Sequence, residues 1–265
     1  MKRKALVAIA PKTSLENTFP RAETYSGIQF GNYHALVIGN NKYRVLNRLE
    51  SAEGDARAVA KVLRDAYGFN VKLLLNATRA DLIGAITKLR AKLTKADNLL
   101  IYYAGHGEPD TIAGQGYWLP VDAEANVPAN WVSTSDITTM VRAIRAKHIM
   151  VVADSCYSGT LVCAAQTHIK TAAARRTWLS RMSKKRARTA LASGGLEPVL
   201  DGGGGHSVFA KAFMDALKEN KSVLDGQALF DAIKRPIVVN ADQTPQYSDI
   251  RRAGHDGGNF VFVCR

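Results

Sequence analysis

Cysteine is scarce in this 265-residue chain: there are three, Cys156, Cys163 and Cys264. That is too few for a disulfide framework and fits a reducing compartment, so a cytoplasmic location is expected. No Cys-x-x-Cys or His-x-x-x-His pair occurs, which argues against a zinc site. Long apolar runs are also missing. Nothing approaches the roughly 18 consecutive apolar residues of a membrane span, so no membrane partner is expected. Met1-Lys2-Arg3-Lys4 has the charged start of a signal peptide, but the apolar piece Ala5 to Ala10 is short and Pro11-Lys12 closes it. A non-secretory tail is expected there, the alternative being the remnant of a trimmed targeting segment.

Acidic residues are few: 23 Asp and Glu stand against 36 Lys and Arg, a net charge of +13. Such an excess invites a nucleic-acid reading. Its distribution weakens that reading. Lys170, Arg175, Arg176, Arg181, Lys184, Lys185, Arg186 and Arg188 form one local segment without an intervening acid. Only Trp178 offers it an aromatic ring, so stacking on bases has little support. A solvated basic face is preferred, a cleavable linker comes second and nucleic-acid binding last.

What is present is an alternation of strand and helix signals. Tyr33 to Gly39, Phe69 to Leu75, Asn98 to Ala104, His148 to Ala153 and Arg188 to Ser193 read as strands, and Gly257 to Val263 as a last one. Helical spacing of apolar residues marks Ser51 to Ala66, a helix capped by Thr78, one opened by Ser133 or Thr134, Ser207 to Glu219, and Gly226 to Lys234 closed by Pro236. Gly116 to Asp122 suggests a short extended piece or hairpin. This order predicts an α/β fold with a doubly wound, mostly parallel sheet in one large domain. Residues 1–30 read as an N-terminal arm and 31–265 as the domain.

Two strands end in chemistry. Ile149 to Ala153 runs into Asp154-Ser155-Cys156, and Asn98 to Ala104 runs into Gly105-His106-Gly107. Open α/β sheets bind ligands at the carboxyl ends of their strands. If these strands are neighbours, a thiol nucleophile and an imidazole base meet at one edge. His106 takes the proton of Cys156, and the backbone amides of Gly107 and Cys156 are candidates to hold the oxyanion. Asp154 projects to the same side as Cys156 if the strand geometry persists that far.

Tyr102-Tyr103-Ala104-Gly105-His106-Gly107 and Asp154-Ser155-Cys156-Tyr157-Ser158-Gly159 resemble the two signatures of the caspase-like cysteine peptidases, nearest to the bacterial metacaspase-like, or orthocaspase, branch. His34 to Tyr43 and the segment Ala52 to Ala56 fit the same family. The resemblance implies a six-stranded, mostly parallel sheet flanked by helices in three layers. It divides the domain into a large-subunit-like part (31–165), a basic linker (166–188) and a small-subunit-like part (189–265). It implies peptide-bond hydrolysis through an acyl-enzyme on Cys156. Because an aspartate stands at position 154, it implies cleavage after Arg or Lys, with Asp55 and Glu197 as further acids of the pocket. The protein's partners would then be basic peptide or protein substrates. Arg175, Arg176, Lys184, Lys185, Arg186 and Arg188 become candidate processing sites, cut by this enzyme or by an upstream protease. Many metacaspases are activated by calcium. No Asp-x-Asp-x-Asp loop supports that here, and no metal or other cofactor is assigned. A catalytically silent interaction module is the alternative function.

Overall fold

A computed structural model describes residues 25, 27–155, 172–194 and 205–265. The elements run β1 (Asn32–Gly39), α1 (Ala52–Tyr67), β2 (Asn70–Leu75), α2 (Arg79–Lys92), β3 (Asp97–Ala104), β4 (Gly107–Asp110), β5 (Gln115–Trp118), β6 (Val132–Ser133), α3 (Thr134–Ala143), β7 (His148–Asp154), α4 (Ala172–Met182), β8 (Ala187–Ala192), α5 (Val208–Glu219), β9 (Val223–Asp225), α6 (Gly226–Asn240), β10 (Gln246–Asp249) and β11 (Val261–Val263).

The central sheet has the order β10-β8-β7-β3-β1-β2. The pairs from β8 to β2 are parallel, and β10 is antiparallel to β8. Side chains alternate between its faces. Ala35, Val37, Leu100, Tyr102 and Val152 pack under α1, α5 and α6. Leu36, Ile38, Ile101, Tyr103 and Val151 pack under α2 and α3. Covering both faces demands apolar residues at successive positions, and all eight residues of β3 are buried.

Local signals fix the helix ends. Thr78 caps α2 and Ser133 caps α3, each in a capping box with an aspartate three residues on. Gly68 ends α1 in the left-handed conformation at φ 65°.

Two expectations are corrected. The sixth strand of the sheet is β10, whereas the closing segment forms β11, paired with β9 outside the sheet. Gln246 to Asp249 is short and polar, an edge strand with little apolar signature. Phe260 and Phe262 instead enter the core beside Tyr33, Tyr67 and Phe69. Second, α6 continues through Pro236 to Asn240. Proline has no amide to donate to the Ala232 carbonyl. Ile237, fully buried on the same face as Ile233, offsets that loss. The described part of the basic linker opens with helix α4. Leu179 of α4 is buried against Tyr25, Val223 and Val261, which also pins residue 25 at the end of the N-terminal arm. The arm up to residue 24 lies outside the described residues.

Candidate active site

The sheet order reverses direction between β1, which leads on to β2, and β3, which leads on to β7. A crevice forms at such a switch point, beyond the carboxyl ends of the strands. Loops after β1 and β3 and the end of β7 line it.

The loop after β1 is held by asparagine side chains. Asn40 Oδ1 accepts from the Ala77 amide at 2.9 Å, and Asn41 Oδ1 accepts from the Glu53 amide at 3.0 Å. Asn76 Oδ1 accepts from the amides of Asn41 and Lys42. These bonds place Tyr43 and Asn47 against His106. The His106 amide donates to the Tyr43 hydroxyl at 2.7 Å, and the two rings lie 4.6 Å apart. Tyr103 donates to the His106 carbonyl at 2.8 Å. Gly105 is required by this crowding: a Cβ there would stand 2.7 Å from the Tyr43 hydroxyl and 2.8 Å from that of Tyr103.

His106 is half-buried, and its Nε2 lies 2.8 Å from the Asn47 carbonyl oxygen. A carbonyl can only accept, so Nε2 carries the hydrogen. In the neutral ring, Nδ1 is then the nitrogen with a free lone pair, the one able to take a proton.

β3 and β7 pair in parallel with Ala104 opposite Asp154, and the Gly105 amide reaches the Asp154 carbonyl at 3.4 Å. His106 follows Ala104 by two residues, and Cys156 follows Asp154 by two. A Cβ on Gly107 would lie 3.2 Å from Ser155 Cβ, so the described chain next to the cysteine already touches the chain next to the histidine. Cys156 itself, and with it its amide, lies outside the described residues, as does Glu197.

Two further acids meet beside this point. Asp154 ends β7 on the same face as Tyr102, and Asp55 comes from the first turn of α1. Both are buried, at 3% and 1% exposure. Ser207, the N-cap of α5, joins them: its amide donates to Asp55 Oδ2 at 3.2 Å and its hydroxyl to Asp154 Oδ2 at 2.6 Å. His206 Nδ1 lies 2.6 Å from Asp55 Oδ1. Burial pushes the Asp55 carboxyl above its ordinary value, against the pull of His206 and the Ser207 amide. Burial also pushes the Tyr102 phenol well up, reinforced by the negative charges of Asp154 and Asp55. The hydroxyl therefore stays protonated at the floor of the acid pair.

Sequence reasoning missed Tyr43, Asn47, Tyr102, His206 and Ser207 as parts of this site. Tyr43 and Ser207 carried a trace, one in a turn-forming run and the other as a helix start. Asn47 acts through its backbone carbonyl, which no residue type announces.

The six candidate processing residues separate into two groups. Arg176, Lys184 and Lys185 are exposed. The other three are half-buried or buried. Arg175 pairs with Asp225 at 2.9 Å, and Arg186 donates to the carbonyls of Arg142 and Ile144. Arg188 lies inside β8 with no exposure, its guanidinium on the carbonyls of Ile144, Ala146, Lys147 and Ala187, and burial pushes it down to about 9. Arg188 and Arg175 are thus largely enclosed by the fold. A protease cleft takes an exposed, extended segment, and reaching these two means opening the sheet or the α4 contact. Among the described residues no His, Cys, Asp or Glu cluster could hold a metal ion, and no helix is long and apolar enough to cross a membrane.

A family model described as the caspase domain matches residues 32–253. The human mucosa-associated lymphoid tissue lymphoma translocation protein 1 is 35% identical over 89 residues, which is 34% of this chain and 10% of that protein. Metacaspase-1 of Saccharomyces cerevisiae is 29% identical over 153 residues, 50% of this chain and 34% of its own length. The chain thus spans about a third or less of these relatives. The crystal structure of protein GSU0716 from Geobacter sulfurreducens shares the fold, with a TM-score of 0.58 at 22% identity over 85% of this chain and 97% of that one.

Proposed function

The chain belongs to the caspase domain family, and from that premise we propose that it is a cysteine endopeptidase that cuts after Arg or Lys. The observation that carries the reading is the β3–β7 register. It sets Ala104 opposite Asp154, so that the histidine and the cysteine each follow a paired position by two residues.

In this reading Nδ1 of His106 takes the Cys156 thiol proton, while the Asn47 carbonyl holds the ring by Nε2. The thiolate attacks the carbonyl carbon of the scissile bond. The amides of Gly107 and Cys156 receive the oxyanion. The C–N bond then breaks, the imidazolium gives its proton to the leaving amine, and an acyl-enzyme remains on Cys156. Water, deprotonated by His106, hydrolyses it and restores the thiol.

Asp154 and Asp55 are the groups that receive the cationic side chain before the cut. A carboxylate about 4 Å from a guanidinium in a partly dry pocket outweighs the screened repulsion of the chain's distant positive charges. Glu197 is a third acid in the same proposal. Exposed Lys184 and Lys185 and, once its helix frays, Arg176 are the remaining candidates for processing by this enzyme or another protease.

Digestion of a peptide library by wild type and by Cys156→Ala tests the proposal. Cuts after Arg or Lys, absent in the variant, are expected. Cuts after other residues would overturn the specificity, and equal digestion by both proteins would overturn the nucleophile.

A further inference from the structure

The acids assigned to the substrate's cation already have a cationic-capable partner from this chain. His206 Nδ1 sits 2.6 Å from Asp55 Oδ1. Its side chain is 36% exposed, while Asp55 is 1% and Asp154 3% exposed. His206 therefore stands between the acid pair and solvent. Ser207 makes the inner contacts to both acids and packs into the start of α5. By contrast His206 precedes the helix, next to Gly205 in the left-handed conformation at φ 84°. Among the described residues its ring bonds to Asp55 alone.

We propose that His206 is a specificity-determining residue that occupies the cation's place on Asp55 in the resting chain, and that an incoming guanidinium or ammonium must displace it. The inference rests on the assignment of Asp55 and Asp154 as the basic-residue pocket. A guanidinium carries five donors in a planar fork and a permanent charge. An imidazole offers Asp55 one donor. Arginine thus exchanges well with His206, a lysine ammonium less well, and a neutral side chain not at all, since it would not replace the donor that His206 gives the buried Asp55. His206 in this way rejects neutral residues as well as delaying basic ones.

The test uses agmatine, a small guanidinium that probes the pocket without chemistry, and an arginyl peptide for turnover. Wild type and His206→Ala are titrated with agmatine while the His206 ring resonances are followed in the wild type. The expected results are a shift of those resonances on binding, agmatine affinity about tenfold tighter in His206→Ala, and a KM for the arginyl peptide lowered about tenfold at similar kcat. Cleavage of a matched neutral peptide should rise in the same variant. Agmatine binding that leaves the ring unmoved, or a variant that binds it equally or more weakly, would overturn the displacement and make His206 a residue that positions Asp55. If wild type and variant both fail to bind agmatine and neither prefers basic peptides, the pocket assignment itself fails, and the inference with it. His206→Gln, which keeps a donor within reach of Asp55, should fall between the two and guards against a folding artefact in the alanine variant.

Discussion

Tyr43 and His106 hold each other at two points, a hydrogen bond from the His106 amide to the tyrosine hydroxyl and a ring contact at 4.6 Å. Removing the hydroxyl keeps the ring contact and leaves the amide without its acceptor. Tyr43→Phe should cost about 1 kcal/mol of stability, the usual net worth of one such bond. It should lower kcat about tenfold with KM little changed, because Tyr43 touches the histidine. Steady-state kinetics on an arginyl peptide separate the two parameters. A raised KM at normal kcat would mean that Tyr43 serves the pocket instead.

Gly105 is confined by two tyrosine hydroxyls, and the single hydrogen of one of them, Tyr103, is shared between the carbonyls of His106 and Leu119, at 2.8 and 2.9 Å from the hydroxyl oxygen. Gly105→Ala must push one ring away. The expected cost is about 1–3 kcal/mol, as for other overpacked sites, with a loss of activity larger than that of Tyr43→Phe. Urea unfolding of the variant checks the first, and turnover the second. An unchanged midpoint would mean that the two hydroxyls do not crowd this glycine.

The positions of His106 and Asp154 were legible because they rest on strand periodicity and strand ends, which the sequence writes locally. The apolar runs named β1, β3 and β7, and the small polar residues after each run marked where the strands stop. The partners of these residues were not legible. Asn47 supplies a main-chain carbonyl, and His206 and Ser207 reach Asp55 across 151 and 152 positions of sequence. Such contacts depend on how α5 docks against α1, which no short window contains. The sixth strand was lost for a related reason. Gln246 to Asp249 pairs by backbone bonds at an edge, with only Tyr247 and Ser248 buried, so its pattern carries little signal. Pro236 misled in the opposite direction, because burial of Ile237 outweighs a local breaker.

Asp55 gives a pH prediction. Its folded carboxyl titrates above the ordinary value because burial disfavours the charge. Folding therefore gains from this group below the unfolded carboxylate range, near pH 4, and loses that gain as pH rises through the raised folded value. Asp55→Asn removes the titration. The stability of the variant relative to wild type should thus improve between pH 4 and pH 7, even as cleavage after arginine falls by tenfold or more. Denaturant unfolding of both proteins at the two pH values measures the difference. A difference that is constant with pH would show that Asp55 titrates normally in the fold.

Ser207 combines two duties on one oxygen. Its hydroxyl accepts the Ala210 amide at 2.9 Å as the cap of α5 and donates to Asp154 at 2.6 Å. Ser207→Ala abolishes both, for an expected loss of about 1–3 kcal/mol. Asp154 loses this hydroxyl donor, so KM for a basic peptide should rise severalfold while kcat on bound substrate stays within about twofold. Ser207→Thr keeps the hydroxyl and should recover most of both losses. Recovery of stability without recovery of KM would assign Ser207 to the helix alone and leave Asp154 oriented by other groups.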